Sequence, residues 1–138
     1  MLGGLLITAT VFPLLTPSAR HSFKQRWCRG VMGALGVRWQ VDALTVAPGS
    51  LLVANHVSWL DVFLINAAFP AAFVSKAEVR DWPVAGWLAT RHETVFLRRG
   101  SRGHARMVNE EIGALLGKGH HVAVFPEGTT TDGSHVLG

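Results

Sequence analysis

The chain has 138 residues, of which 49% are hydrophobic and 16% charged, with a net charge of +4. That length suits a single domain with a real core, and so apolar a composition points to a membrane-associated protein. Cys28 is the only cysteine, which excludes an internal disulfide and a cysteine-held metal cluster and fits a reducing compartment.

Met1 to Leu15 is apolar apart from Thr8 and Thr10. No basic residue precedes it and no small-residue cleavage site follows, which argues against a secretory signal peptide. It is also short of the ~20 apolar residues that span a bilayer, so a helix embedded in one leaflet, or a clipped anchor, is expected. Arg20, His21, Lys24, Arg26 and Arg29 follow, with Trp27 among them. Cations and an aromatic beside an apolar stretch suit the anionic cytoplasmic face of a membrane, with an ordinary basic helix on the domain surface as the alternative. Residues 1–29 are therefore read as a membrane-associated segment and residues 30–138 as the main domain. The arginines build no recognisable nucleic-acid module, so the anionic partner expected is a lipid headgroup or a phosphorylated substrate.

From Val31 a small apolar stretch ends a helix near Gly36, and Arg38–Asp42 alternates in the manner of a first strand. Pro48-Gly49 marks a turn before a second strand, Ser50–Ala54. Trp59–Ala68 reads as a helix apolar on every side, hence buried, and Pro70 stops it. A strand at Ala71–Ser75 precedes a short helix at Trp82–Thr90 with Pro83 in its first turn. Glu93–Leu97 is the fourth strand, Ala105–Lys118 a helix ended by Gly119, and His121–Phe125 the fifth strand. Strands alternating with helices predict an α/β fold: a mostly parallel sheet with helices on both faces. Gly128–Gly138 is polar and turn-like and leaves the last strand uncovered, so the domain is expected to be truncated at its C-terminus.

Three polar clusters sit just after predicted strands. Asn55-His56-Val57-Ser58-Trp59-Leu60-Asp61 follows the second. It offers a neutral imidazole and, five residues on, a carboxylate that can fix its tautomer; taken alone, the spacing equally suits a turn histidine and an aspartate capping a helix. Phe96-Leu97-Arg98-Arg99-Gly100-Ser101-Arg102 follows the fourth, and three guanidinium groups in five residues suit a phosphate or a solvated surface. Phe125-Pro126-Glu127-Gly128-Thr129-Thr130 follows the fifth and presents a carboxylate and two hydroxyls where open α/β sheets bind ligands, although in isolation a plain Pro-Glu-Gly turn is the better reading.

In this order, Asn55-His56-x-x-x-x-Asp61, Phe96-Leu97-x-Arg99 and Phe125-Pro126-Glu127-Gly128-Thr129 resemble the motifs of the glycerolipid acyltransferase family, typified by 1-acylglycerol-3-phosphate acyltransferases. Ser75-Lys76-x-Glu78 with Pro83 and Gly86 looks like the intervening segment of that family. The chain departs from the pattern at Arg98, where many members carry an acidic residue, and at Glu93, where glycine is common.

The resemblance implies direct acyl transfer from acyl-CoA or acyl-carrier protein to the free hydroxyl of 1-acylglycerol-3-phosphate, at the cytoplasmic face of the cell membrane. It makes His56 the general base and Asp61 the group that orients its ring. Arg99, together with Arg98, would hold the acceptor phosphate, and Lys76 would be a further substrate-binding residue. Glu127 and Gly128, helped by Thr129, would shape the acceptor site. It implies no cofactor beyond the thioester co-substrate, and no metal. Within the same chemistry the acceptor could be another lysophospholipid or a lyso-ornithine lipid. A lipid hydrolase would need an activated nucleophile, and no Gly-x-Ser-x-Gly elbow is present. A non-catalytic peripheral membrane protein has no use for the His56/Asp61 pair.

Overall fold

The computed structural model describes residues 14–42, 45–98, 100 and 102–133. Most of the expected apolar N-terminal segment lies outside these residues, as does Arg99. No helix among the described residues is long and apolar enough to cross a membrane. The chain divides into two compact units, Met1–Thr45 with Trp59–Pro70, and Val46–Ser58 with Ala71–Gly138.

The first unit is a helix pair. Helix α1, Pro17–Ala34, starts where Thr16 Oγ1 accepts from the Ala19 N–H at 3.4 Å, with Pro17 fixing the first helical position. It runs without a break across residue 29 and turns off at Gly36, as expected. Lys24, Cys28 and Met32, at i, i+4 and i+8, form its buried face. Lys24 is therefore not one of the outward cations that the sequence suggests. Helix α2, Leu60–Ala68, packs against α1 through Trp27 and Phe63, whose rings lie 5.6 Å apart. Its last carbonyls are capped from α1: Arg29 Nε donates to Ala67 O at 2.8 Å and Gln25 Nε2 to Ala68 O at 2.9 Å. Such bonds contribute about 1 kcal/mol each, and they give Arg29 a structural duty. Only Asn66 and Ala67 of α2 are buried. The expectation of a helix buried on every side fails because, within its unit, α2 has one helix to pack against.

The second unit carries the sheet. Its elements are β1 (Leu51–Val53), β2 (Ala71–Lys76), a 3-10 turn (Ala77–Asp81), α3 (Ala85–Arg91), β3 (Val95–Leu97), α4 (Arg102–Gly117) and β4 (His121–Val124). The strand order is β1-β4-β2-β3 and every pairing is parallel. Ala71, Ala72 and Phe73 of β2, and Val122 and Ala123 of β4, are buried, as central strands of a parallel sheet should be. Leu51 and Val53 of the edge strand β1 are exposed. The α/β class and the parallel sheet agree with the sequence reading.

Three local readings change, the first being the helix expected from Trp82 with Pro83 in its first turn: it starts at Ala85, because Val84 has φ +61° and keeps the preceding residues out of the helix. Arg38–Asp42 is not a strand. Its alternation is compatible with one, but a strand needs a ladder partner, and this segment makes a local Gln40 Nε2 to Asp42 Oδ1 bond of 2.7 Å instead. The fourth strand begins at Val95 rather than Glu93, because Glu93 has φ +60° and turns the chain. Close approach accounts for Gly86: a Cβ there would overlap the Arg80 carbonyl as α3 begins.

Candidate functional site

In a parallel sheet all strands end on one edge, so each segment that follows a strand is delivered to that edge. β1 and β4 are neighbours, and their ladder continues one step further through Ala54 N–H to Val124 O at 3.2 Å. Beyond that step the two chains diverge into Asn55–Ser58 and Phe125–Gly133, and these two segments meet.

His56 is half-buried, and its ring stacks on Phe125 with centroids 4.2 Å apart and planes 18° apart. Phe125 in turn stacks on Phe73 of β2 at 6.0 Å. The His56 main-chain N–H donates to Glu127 Oε2 at 3.1 Å. The His56 carbonyl accepts from the Thr131 N–H at 2.7 Å and lies 3.4 Å from the Thr131 hydroxyl. Pro126 and Gly128 make the turn that brings Glu127 round: the Gly128 N–H donates to Phe125 O at 3.0 Å. Glu127 Oε1 is buried with no hydrogen-bond partner among the described residues. An acceptor of that kind suits a donor brought by a bound molecule, since leaving it unmet costs about 1–3 kcal/mol.

The sheet thus brings His56 and Glu127 together and leaves other expected residues at its periphery. Gly128 is half-buried in the turn and Thr129 is exposed. Lys76 is exposed at the end of β2, and Arg98 is exposed just past β3, in register one step beyond the Lys76–Leu97 pair. The Arg98 N–H is held by His104 Nδ1 at 3.3 Å. These two cations occupy the same strand-end edge as His56 and Glu127. Asp61 belongs to the helix-pair unit, in the first turn of α2, where a carboxylate also favours the helix N-terminus. His56 lies ahead of that helix, as a His-x-x-x-x-Asp pair requires. Thr131 and the stacking face of Phe125 were not foreseen. The signal available was a hydroxyl residue four places after Glu127.

Comparison with known proteins accords with this arrangement of motifs. The chain is 44% identical over 114 residues to the lyso-ornithine lipid O-acyltransferase of Pseudomonas aeruginosa, covering 83% of this chain and 44% of that one. It is 37% identical over 123 residues to the 1-acyl-sn-glycerol-3-phosphate acyltransferase of Neisseria meningitidis, covering 88% of this chain and 48% of that one. The chain thus spans about half the length of these curated relatives. The crystal structure of the 1-acyl-sn-glycerophosphate (LPA) acyltransferase of Thermotoga maritima superposes with a TM-score of 0.69 at 25% identity, covering 97% of this chain and 55% of that one. The family model described as Acyltransferase matches residues 19–138, and the chain belongs to that family.

Proposed function

We propose that this protein transfers a fatty acyl group from acyl-CoA or acyl-carrier protein to the free hydroxyl of a lyso-lipid, working at the cytoplasmic face of a membrane. The observation that supports this most directly is the meeting of His56 and Glu127 at the strand-end edge in a chain of the acyltransferase family. A lipid hydroxyl is a poor nucleophile near neutral pH. His56 takes its proton as the oxygen attacks the thioester carbonyl, and returns that proton to the departing thiolate as the tetrahedral intermediate collapses. Asp61 orients the imidazole and stabilises its charged form, in the role that the family resemblance gives it. Glu127 Oε1, which lacks a partner among the described residues, receives a donor hydroxyl of the acceptor.

For the acceptor, the leading reading is 1-acylglycerol-3-phosphate, giving phosphatidic acid, with Arg98 and Arg99 supplying cations for its phosphate and Lys76 a further one. A second reading, a lyso-ornithine lipid, is supported by two relatives of that name at 44% identity against 37% for two named for the glycerophosphate, while a further lyso-ornithine relative matches at 36%. Membranes containing the protein, given labelled acyl-CoA or acyl-carrier protein and a panel of lyso-lipids, test both readings. Label in a diacyl product that disappears with His56→Ala supports acyl transfer, and kcat/KM ranks the acceptors. Release of free fatty acid alone, or labelling independent of His56, would overturn the proposal.

A further inference from the structure

We infer that Thr131 is a positioning residue for His56, holding the main chain from which the imidazole projects. The inference rests on reading His56 as the base. A residue has two soft backbone torsions, and the peptide groups on either side of its Cα report them. Glu127 Oε2 takes the N–H on one side of His56, and the Thr131 N–H takes the carbonyl on the other at 2.7 Å. With both peptide groups held, the direction of the Cα–Cβ bond is set, and with it the line along which the ring meets substrate. Phe125 then limits the ring's tilt by stacking.

The Thr131 hydroxyl links the two holds. It lies 3.4 Å from both His56 O and Glu127 Oε2, and accepts from the Gly133 N–H at 3.3 Å. One hydroxyl proton serves one acceptor at a time, and the charged carboxylate is the stronger. The hydroxyl therefore steadies Glu127 while the amide steadies the His56 carbonyl. The loop is seated beyond this point as well. Gly133 has φ +76°, and a Cβ on it would lie 3.0 Å from Val57 Cγ2, so the segment closes directly over the residue after the histidine. Thr129 and Thr130, the other hydroxyl residues of the run, are exposed.

The test compares Thr131→Val, Thr131→Ser and His56→Ala in the full chain by steady-state kinetics with acyl-CoA and the accepted lyso-lipid, alongside thermal unfolding. Valine keeps the shape and the main-chain N–H but removes the hydroxyl. Thr131→Val should lower kcat about three- to tenfold while leaving the acyl-CoA KM within about twofold, because what is lost acts on the base and on Glu127 and not on the donor site. Thr131→Ser should restore kcat. An unchanged kcat in Thr131→Val would overturn the inference. So would a rise in both KM values with a lowered melting temperature that serine does not rescue, which would mark a purely structural loop contact. If Thr131→Val does not fold, Gly133→Ala carries the test by displacing the loop from Val57, and should likewise depress kcat without raising the acyl-CoA KM. Activity persisting in His56→Ala would instead remove the reading of His56 as the base.

Discussion

The His56 N–H and Glu127 Oε2 lie 3.1 Å apart, joined across 71 residues of sequence. A carboxylate acceptor makes this a charge-assisted bond, worth roughly 1.5–3 kcal/mol. Glu127→Ala should therefore lower kcat about ten- to a hundredfold. Glu127→Gln should lower it less, because the amide oxygen can still accept from His56. Steady-state kinetics of the two variants provide the check. Equal losses would mean that the charge matters and the bond to His56 does not.

His56 precedes α2 and Asp61 stands in its first turn, so the two are not on one regular helix, where a five-residue spacing would set them ~140° apart. If they work as base and orienter, their losses should not add. His56→Ala should cost roughly 10²–10⁴ in kcat, and Asp61→Asn should also cost much, while the double variant is scarcely worse than His56→Ala alone. Multiplying losses in kcat would show that Asp61 acts independently, as a helix-terminus charge would.

Glu93 occupies the left-handed backbone region, at the position where the family resemblance leads one to expect glycine. Its carboxylate lies 3.3 Å from His120 Nδ1, a partly exposed contact that contributes little. Glu93→Ala should lose that contact and keep the backbone strain. Glu93→Gly loses the same contact but relieves the strain, and should be the more stable of the two by about 1 kcal/mol. Melting temperatures decide it, and identical values would contradict the strain argument.

Burial raises the Cys28 thiol from 9.0 to about 11, against a smaller opposing effect of Lys24. The folded chain thus holds the thiol proton to higher pH than the unfolded one. Its contribution is fully present below about pH 9 and is lost as pH rises through about 11. The loss should approach about 2–3 kcal/mol. Denaturant midpoints of the native chain and Cys28→Ala, compared from pH 8 to 11, should converge or cross as pH rises. Parallel curves would rule out a titrating Cys28.

The sheet was largely legible because hydrophobic runs, Pro70, Gly119 and the turn residues are local signals read by local rules. Arg38–Asp42 misled because alternation records a possible face and says nothing of a partner strand. Val95 was mistaken for mid-strand because a left-handed glutamate has no signature in composition. At the site, His56 and Glu127 could be named from their motifs. Their mutual bond could not, nor the hold of Thr131 on the His56 carbonyl, because each joins residues more than 70 positions apart.

β1 sits at an edge of the sheet and its ladder partner is β4, which the ribosome makes much later. At 5–20 residues per second, the 71 residues between His56 and Glu127 take roughly 4–14 s to synthesise. β2 and β3, which pair with each other at shorter range, can associate during that interval while Leu51–Val53 waits. Fragments ending before His121 should therefore leave residues 51–58 open to protease. The histidine is among the first parts of this site to be translated and among the last to be seated.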